Sequence, residues 1–153
     1  MLIRKQYFTV LLLYHLGYSL VKNAMLRLQK KPVARFLAFH DVMPESTKSF
    51  RDKLVFLKHK TNVISLDDFF AGRLSTKKIN IVITFDDGYK SWVTCALPIL
   101  KSLNLPAVFF VSSGFVGLTK KDEAKFIHKN LFTKHPPREI SGGLNLSDLH
   151  KLS

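Results

Sequence analysis

"NIVITFDDGYKSW", residues 80–92, decides how this chain is read. Apolar and β-branched residues from Ile81 to Phe85 run straight into Asp86 and Asp87, with Gly88 behind them. Such a run reads as a buried strand. Two adjacent carboxylates repel, so one of them must be protonated or neutralised by a cation. Packing has no use for such a pair, so it marks a site. Gly88 lets the backbone turn sharply and lets a substrate approach closely.

Working outward, apolar strands alternate with amphipathic helices. "VARFLAFHDV" (33–42), "NVISL" (62–66), "INIVITF" (79–85) and "PAVFFVSS" (106–113) read as buried strands. "TKSFRDKLVFLKHK" (47–60) puts Phe50, Leu54 and Leu57 on one helical face, and "SWVTCALPILKSLN" (91–104) turns Trp92, Ala96, Ile99, Leu100 and Leu103 inward, with Pro98 expected to kink it or mark a break. "LDDFFAGRL" starts a helical turn in which Asp67 or Asp68 can serve the free N–H groups. Residues 120–132 read as a helix, 133–143 as a loop and 144–153 as another helix. Wholly apolar strands separated by helices imply a parallel sheet covered on both faces, in a βα barrel or an open doubly wound sheet.

In such folds the carboxyl ends of the strands line the ligand site. His40 and Asp41 end the first strand, Asp86 and Asp87 the third, and Ser112 and Ser113 the fourth. Polar groups from three strands thus converge on one face. A divalent metal satisfies one aspartate while its neighbour takes a proton from water, which is the logic of metal-assisted hydrolysis. Alone, "DDG" reads first as a polar turn capping the next helix, and the full "ITFDDGY" after a buried strand reverses that preference.

"TFDDGY" (84–89), with "FLAFHDV" (36–42) before it and "LPAVFFVSSGFVG" (105–117) after it, resembles the polysaccharide deacetylases, the NodB homology domain proteins of carbohydrate esterase family 4. The resemblance covers roughly residues 33–153. It implies an α/β fold that is the N-terminal portion of a distorted (β/α) barrel, NodB-like, with parallel strands alternating with helices. It further implies removal of N-acetyl groups from the amino sugars of a polysaccharide or lipid-linked glycan. Asp86 is then the catalytic base and Asp87 the ligand of a divalent metal, zinc in most members. His40, Asp41 and Tyr89 are candidates for substrate binding or for supporting the site.

The family completes its metal site with a His-Ser/Thr-x-x-His motif, and this sequence has none. His128, His135 and His150 do not have the spacing to replace it. The chain is therefore expected to be truncated, an N-terminal part cut short by a partial gene or a frameshift, with little or no hydrolysis on its own. The alternative is a non-catalytic remnant or a membrane- or glycan-binding module. A different metal-dependent hydrolase such as a phosphoesterase would share only the Asp pair.

Composition agrees with a folded domain: 46% hydrophobic and 12% aromatic residues exclude disorder, and the single Cys95 excludes an internal disulfide or a cysteine zinc cluster. The net charge of +13 suggests an anionic partner, but no zinc finger, RNP-type or Gly-rich phosphate motif accompanies it, so nucleic acid is not expected. Residues 1–31 carry Arg4, Lys5, Lys22, Arg27, Lys30 and Lys31 with no acid. Tyr7, Leu11, Tyr14, Tyr18, Val21, Met25 and Leu28 recur at three- and four-residue steps, which predicts an amphipathic helix. Its apolar run of about 15 residues is short of the roughly 20 needed to span a bilayer. The helix can lie in a membrane interface or pack on the following domain. The expected organisation is therefore residues 1–31 as a hydrophobic, basic helix and 32–153 as an incomplete deacetylase domain. The expected placement is membrane-associated through that helix, with a cytoplasmic or exported protein as the alternative.

Overall fold

The computed structural model describes residues 17–22, 24–25, 28–29, 31–131 and 141–152. Four strands form one parallel sheet: β1 (Ala34–Phe39), β2 (Asn62–Val63), β3 (Asn80–Asp87) and β4 (Val108–Val111). Strand β3 is central. It pairs with β1 along one edge, while β2 and β4 share the other edge at its start and its end. Between them run α1 (Thr47–Lys60), α2 (Leu66–Phe70), α3 (Leu97–Leu103), α4 (Lys120–Phe126) and α5 (Leu146–Leu152). Among the described residues the sheet stays open, which is the form of a part of a distorted (β/α) barrel.

Phe85 on β3 is the centre of the core. It stacks on Phe39 and Phe109, at centroid separations of 5.5 and 5.0 Å, and meets Phe50 and Trp92 edge-on. Burial of such rings supplies most of the driving force for folding, at about 25 cal/mol per Å² of apolar surface. The start of β3 is secured differently. Asn80, fully buried, donates to the Val33 and Ser75 carbonyls at 3.0 and 2.9 Å and accepts from Asn62 Nδ2 and Ser75 N at 2.9 and 2.8 Å. One side chain thereby ties the first residues of β1, β2 and β3 together, and its polar atoms are satisfied as burial requires.

Several expectations from the sequence are corrected. β1 is not buried on both faces: Arg35, Phe36 and Ala38 are exposed, because β1 is an edge strand with β3 on one side only. The second strand is two residues long, because Ser65 leaves it to cap α2. Ser65 and Asp68 form a reciprocal capping box there, so Asp68 acts together with a serine that the sequence reading passed over. Pro98, expected to kink the helix or mark a break, stands where the winding changes and the helix does not stop. Trp92–Ala96 winds as a π-turn, and Pro98 falls in the first turn of α3, where a missing N–H costs least. Asn104 then ends α3 in a left-handed conformation, its N–H reaching the Leu100 and Lys101 carbonyls.

The helix expected over residues 1–31 lies largely outside the described residues, as do His135 and most of the loop at 133–143. Residues 17–22, 24–25 and 28 are helical. Membrane-associated localisation through this helix is overturned: among the described residues no helix is long and apolar enough to cross a membrane. Lys22 interrupts its apolar character, with the ammonium over the Tyr18 ring at 5.9 Å.

Candidate active site

The carboxyl end of β3 breaks in two consecutive unusual residues. Asp87 has φ of 87° and Gly88 has φ of 108°. Left-handed geometry is open to glycine, but in a non-glycine residue such as Asp87 it costs about 1–3 kcal/mol and persists only where neighbours hold it. One such neighbour is β4, since Ser112 N donates to the Asp87 carbonyl at 3.0 Å. Another is His40, whose Nδ1 lies 2.9 Å from Asp87 Oδ2. A carboxylate accepts in such a bond, so the pairing calls for a proton on Nδ1 of a side chain that is 58% exposed.

His40 is itself held from behind. Trp92 Nε1 donates to the His40 carbonyl at 2.8 Å, and Val42 N donates to Ser91 Oγ at 3.0 Å. Asp41 is engaged in the same tie. Its Oδ1 accepts from the hydroxyls of Ser91 and Ser141 at 2.6 and 2.8 Å, and its Oδ2 accepts from Ser141 N at 2.9 Å. Asp86, half-buried, has no side-chain hydrogen bond among the described residues.

Tyr89 is enclosed at 1% exposure with its ring edge-on to Phe115, and its hydroxyl has no hydrogen-bond partner. Burial, then the nearby carboxylates of Asp87 and Asp41, push the phenol's pKa upward, so it holds its proton well into the alkaline range. The acceptor within its reach is the Asp87 carboxylate, whose interaction also helps keep the phenol protonated.

The far wall of the site comes from residues 141–148, which the sequence reading took for a loop entering a helix. Tyr89 and Gly143 form an antiparallel bridge, Lys90 N donates to Gly142 O at 2.8 Å, and Leu144 N donates to Gly88 O at 2.9 Å. Glu123 Oε1 accepts from Gly143 N at 2.8 Å. Position 143 requires glycine: a Cβ there would lie 2.5 Å from the Phe115 carbonyl oxygen. Asp148 completes the clamp. It is fully buried, yet paired to Lys90 and, at 3.1 Å, to Lys151. Burial alone would raise its pKa, but the Lys90 bond, the Asn145 N–H and Lys151 outweigh burial and hold it at about 2.

The polysaccharide deacetylase family matches residues 73–132, the segment from the approach to β3 through α4. The chain is homologous to the polysaccharide deacetylases. IcaB from Ammonifex degensii is a similar solved structure, 30% identical with a TM-score of 0.50 over 56% of this chain and 41% of that one. The BpsB deacetylase domain from Bordetella bronchiseptica shares the fold at 24% identity and a TM-score of 0.52, over 77% of this chain and 49% of that one. The chain thus spans less than half the length of either solved structure. No curated protein matches it.

Set beside a deacetylase site, the structure joins His40 to Asp87 directly and packs Tyr89 beneath them. It engages Asp41 in holding the walls together. Ser91, Glu123, Ser141 and Gly143 were missed from the sequence, although the "SGG" at 141–143 was a visible turn signal. The donor set for a metal does not fit. Asp87 is engaged by His40, and among the described residues no group of three or more His, Cys, Asp or Glu is placed to hold an ion. Catalytic zinc takes three protein ligands. His128 stands exposed in the π-turn Ile127–Leu131, and His150 lies on α5.

Proposed function

We propose that residues 32–153 act as a glycan-facing, deacetylase-type module that binds an amino-sugar glycan and does not hydrolyse it unaided. Residues 1–31 are a separate N-terminal segment in this reading. The observation that carries it is the pairing of Asp87 with His40 and the absence, among the described residues, of a third donor beside them. The similarity of residues 73–132 to the polysaccharide deacetylases supports a carbohydrate-modifying role. The chemistry of the site is compatible with sugars: Asp86 offers a half-buried carboxylate to accept from hydroxyl or amide N–H groups.

A second reading is favoured by Asp86 and Asp87 standing side by side at the end of the central strand. In a longer protein with further ligands, Asp87 would bind a divalent metal, zinc in most relatives. Asp86 would be the base in hydrolysis of N-acetyl groups.

One titration separates the two. Chitin-type oligomers of N-acetylglucosamine are added to the full chain while acetate release is followed with and without zinc. The expected result is saturable binding that weakens about tenfold in Asp86→Ala, one hydrogen-bonded contact to a charged group, with no acetate released. No binding would overturn the module reading. Steady zinc-dependent acetate release would overturn the claim that the chain alone does not hydrolyse.

A further inference from the structure

Residues 141–145 form a strap whose backbone is bonded along its length to the parts that frame the site. Ser141 N donates to Asp41, just past β1, at 2.9 Å. Gly142 O accepts from Lys90 N at 2.8 Å and Leu144 N donates to Gly88 O at 2.9 Å, on the two sides of the Tyr89–Gly143 bridge. Gly143 N donates to Glu123 on α4 at 2.8 Å, and Leu144 O accepts from Gly117 N, between β4 and α4, at 2.8 Å. The strap thus grips the chain at Gly88 and Lys90, directly behind the strained Asp87. Backbone strain of that kind persists only where the surroundings over-determine it.

One buried side chain secures the end of the strap. Asp148, on α5, accepts from Lys90 Nζ, from Lys151 Nζ at 3.1 Å and from Asn145 N at 3.0 Å. Lys90 is therefore held twice, through its N–H by Gly142 and through its ammonium by Asp148. We infer that the Lys90–Asp148 pair is a positioning device for the site: it seats the strap on residues 88–90 and so keeps Asp87 turned onto His40. None of the Asp148 hydrogen bonds reaches Asp87 or His40, so Asp148 acts through Lys90 and the strap. The alternative is that the pair merely adds stability, as any buried pair does when one partner's loss leaves a charge uncompensated. The two roles part at the His40 ring. The inference rests on the proposed site only in that His40 and Asp87 belong to it.

Nitrogen NMR of the full chain, at a pH where the His40 ring is neutral, reads the pairing directly. The ring carries its proton on Nδ1 while Asp87 accepts it, and favours Nε2 once released. The unaltered chain is expected in the Nδ1–H form, and both Asp148→Asn and Lys90→Met in the Nε2–H form. Lys90→Met is the gentler change, because Asp148 keeps Lys151 and the Asn145 N–H, and it decides the matter alone if Asp148→Asn does not fold. Asn80→Ala is the control. It removes a buried network at the opposite end of β3 and should leave the proton on Nδ1. An Nδ1–H ring in folded Lys90→Met, or the same switch in Asn80→Ala, would overturn the inference. Because the ring is read without any glycan, this result is independent of whether the chain binds N-acetylglucosamine oligomers.

Discussion

Strands β1 and β3 are hydrogen-bonded neighbours in register, Ala34 opposite Asn80 and Phe39 opposite Phe85, and both are rich in apolar residues. Their surroundings are opposite. β3 is buried from Asn80 to Phe85, whereas β1 leaves Phe36 52% exposed. The difference is one of position. β3 has neighbours on both edges, and β1 has one. Apolar texture in a parallel strand therefore does not by itself say how deeply the strand is buried.

The sharpest way to break this comparison is at its centre. Phe85→Ala removes a ring packed against Phe39, Phe50, Phe109 and Trp92, and should cost about 3–5 kcal/mol in urea unfolding. A loss below 1 kcal/mol would mean that β3 is not the core strand. At the polar start of the same strand, Asn80→Ala should cost roughly 2–3 kcal/mol, since it strands the Val33, Asn62 and Ser75 partners. The smallest effect belongs to the edge. Phe36→Ala loses an edge-on contact with Phe69 at 5.0 Å on an exposed face, and should cost less than about 1 kcal/mol. If it matched Phe85→Ala, the contrast between centre and edge would fail.

Much of this was legible in the chain. The strand-then-helix alternation, Asp86 and Asp87 at a strand's carboxyl end, and His40 at the end of a neighbouring strand all depend on local pattern, and local pattern survives in sequence. The partners that build the site's walls were not legible. Asp41 meets Ser141 across 100 residues, and Lys90 meets Asp148 across 58. Neither pairing leaves a local mark, because an isolated serine, aspartate or lysine reads as solvated surface. Gly143 is the partial exception. Its glycine pair signalled a turn, but its purpose appeared only with the Phe115 carbonyl against it. The membrane placement failed because amphipathic spacing around Tyr18 and Val21 is shared by helices that meet lipid and helices that meet protein.

The sequence by itself determined the parallel α/β class, the resemblance to the deacetylases and the acidic pair that ends the central strand. These follow from periodicity and motif order along the chain. Only the tertiary structure decided that β1 is an edge, that Asp41 braces the walls, and that "TFDDGY" ends in a strained Asp87 held by His40 with no third donor beside it among the described residues. Those facts depend on which distant segments pack together. Packing is a property of the folded whole, and no local stretch of sequence encodes it.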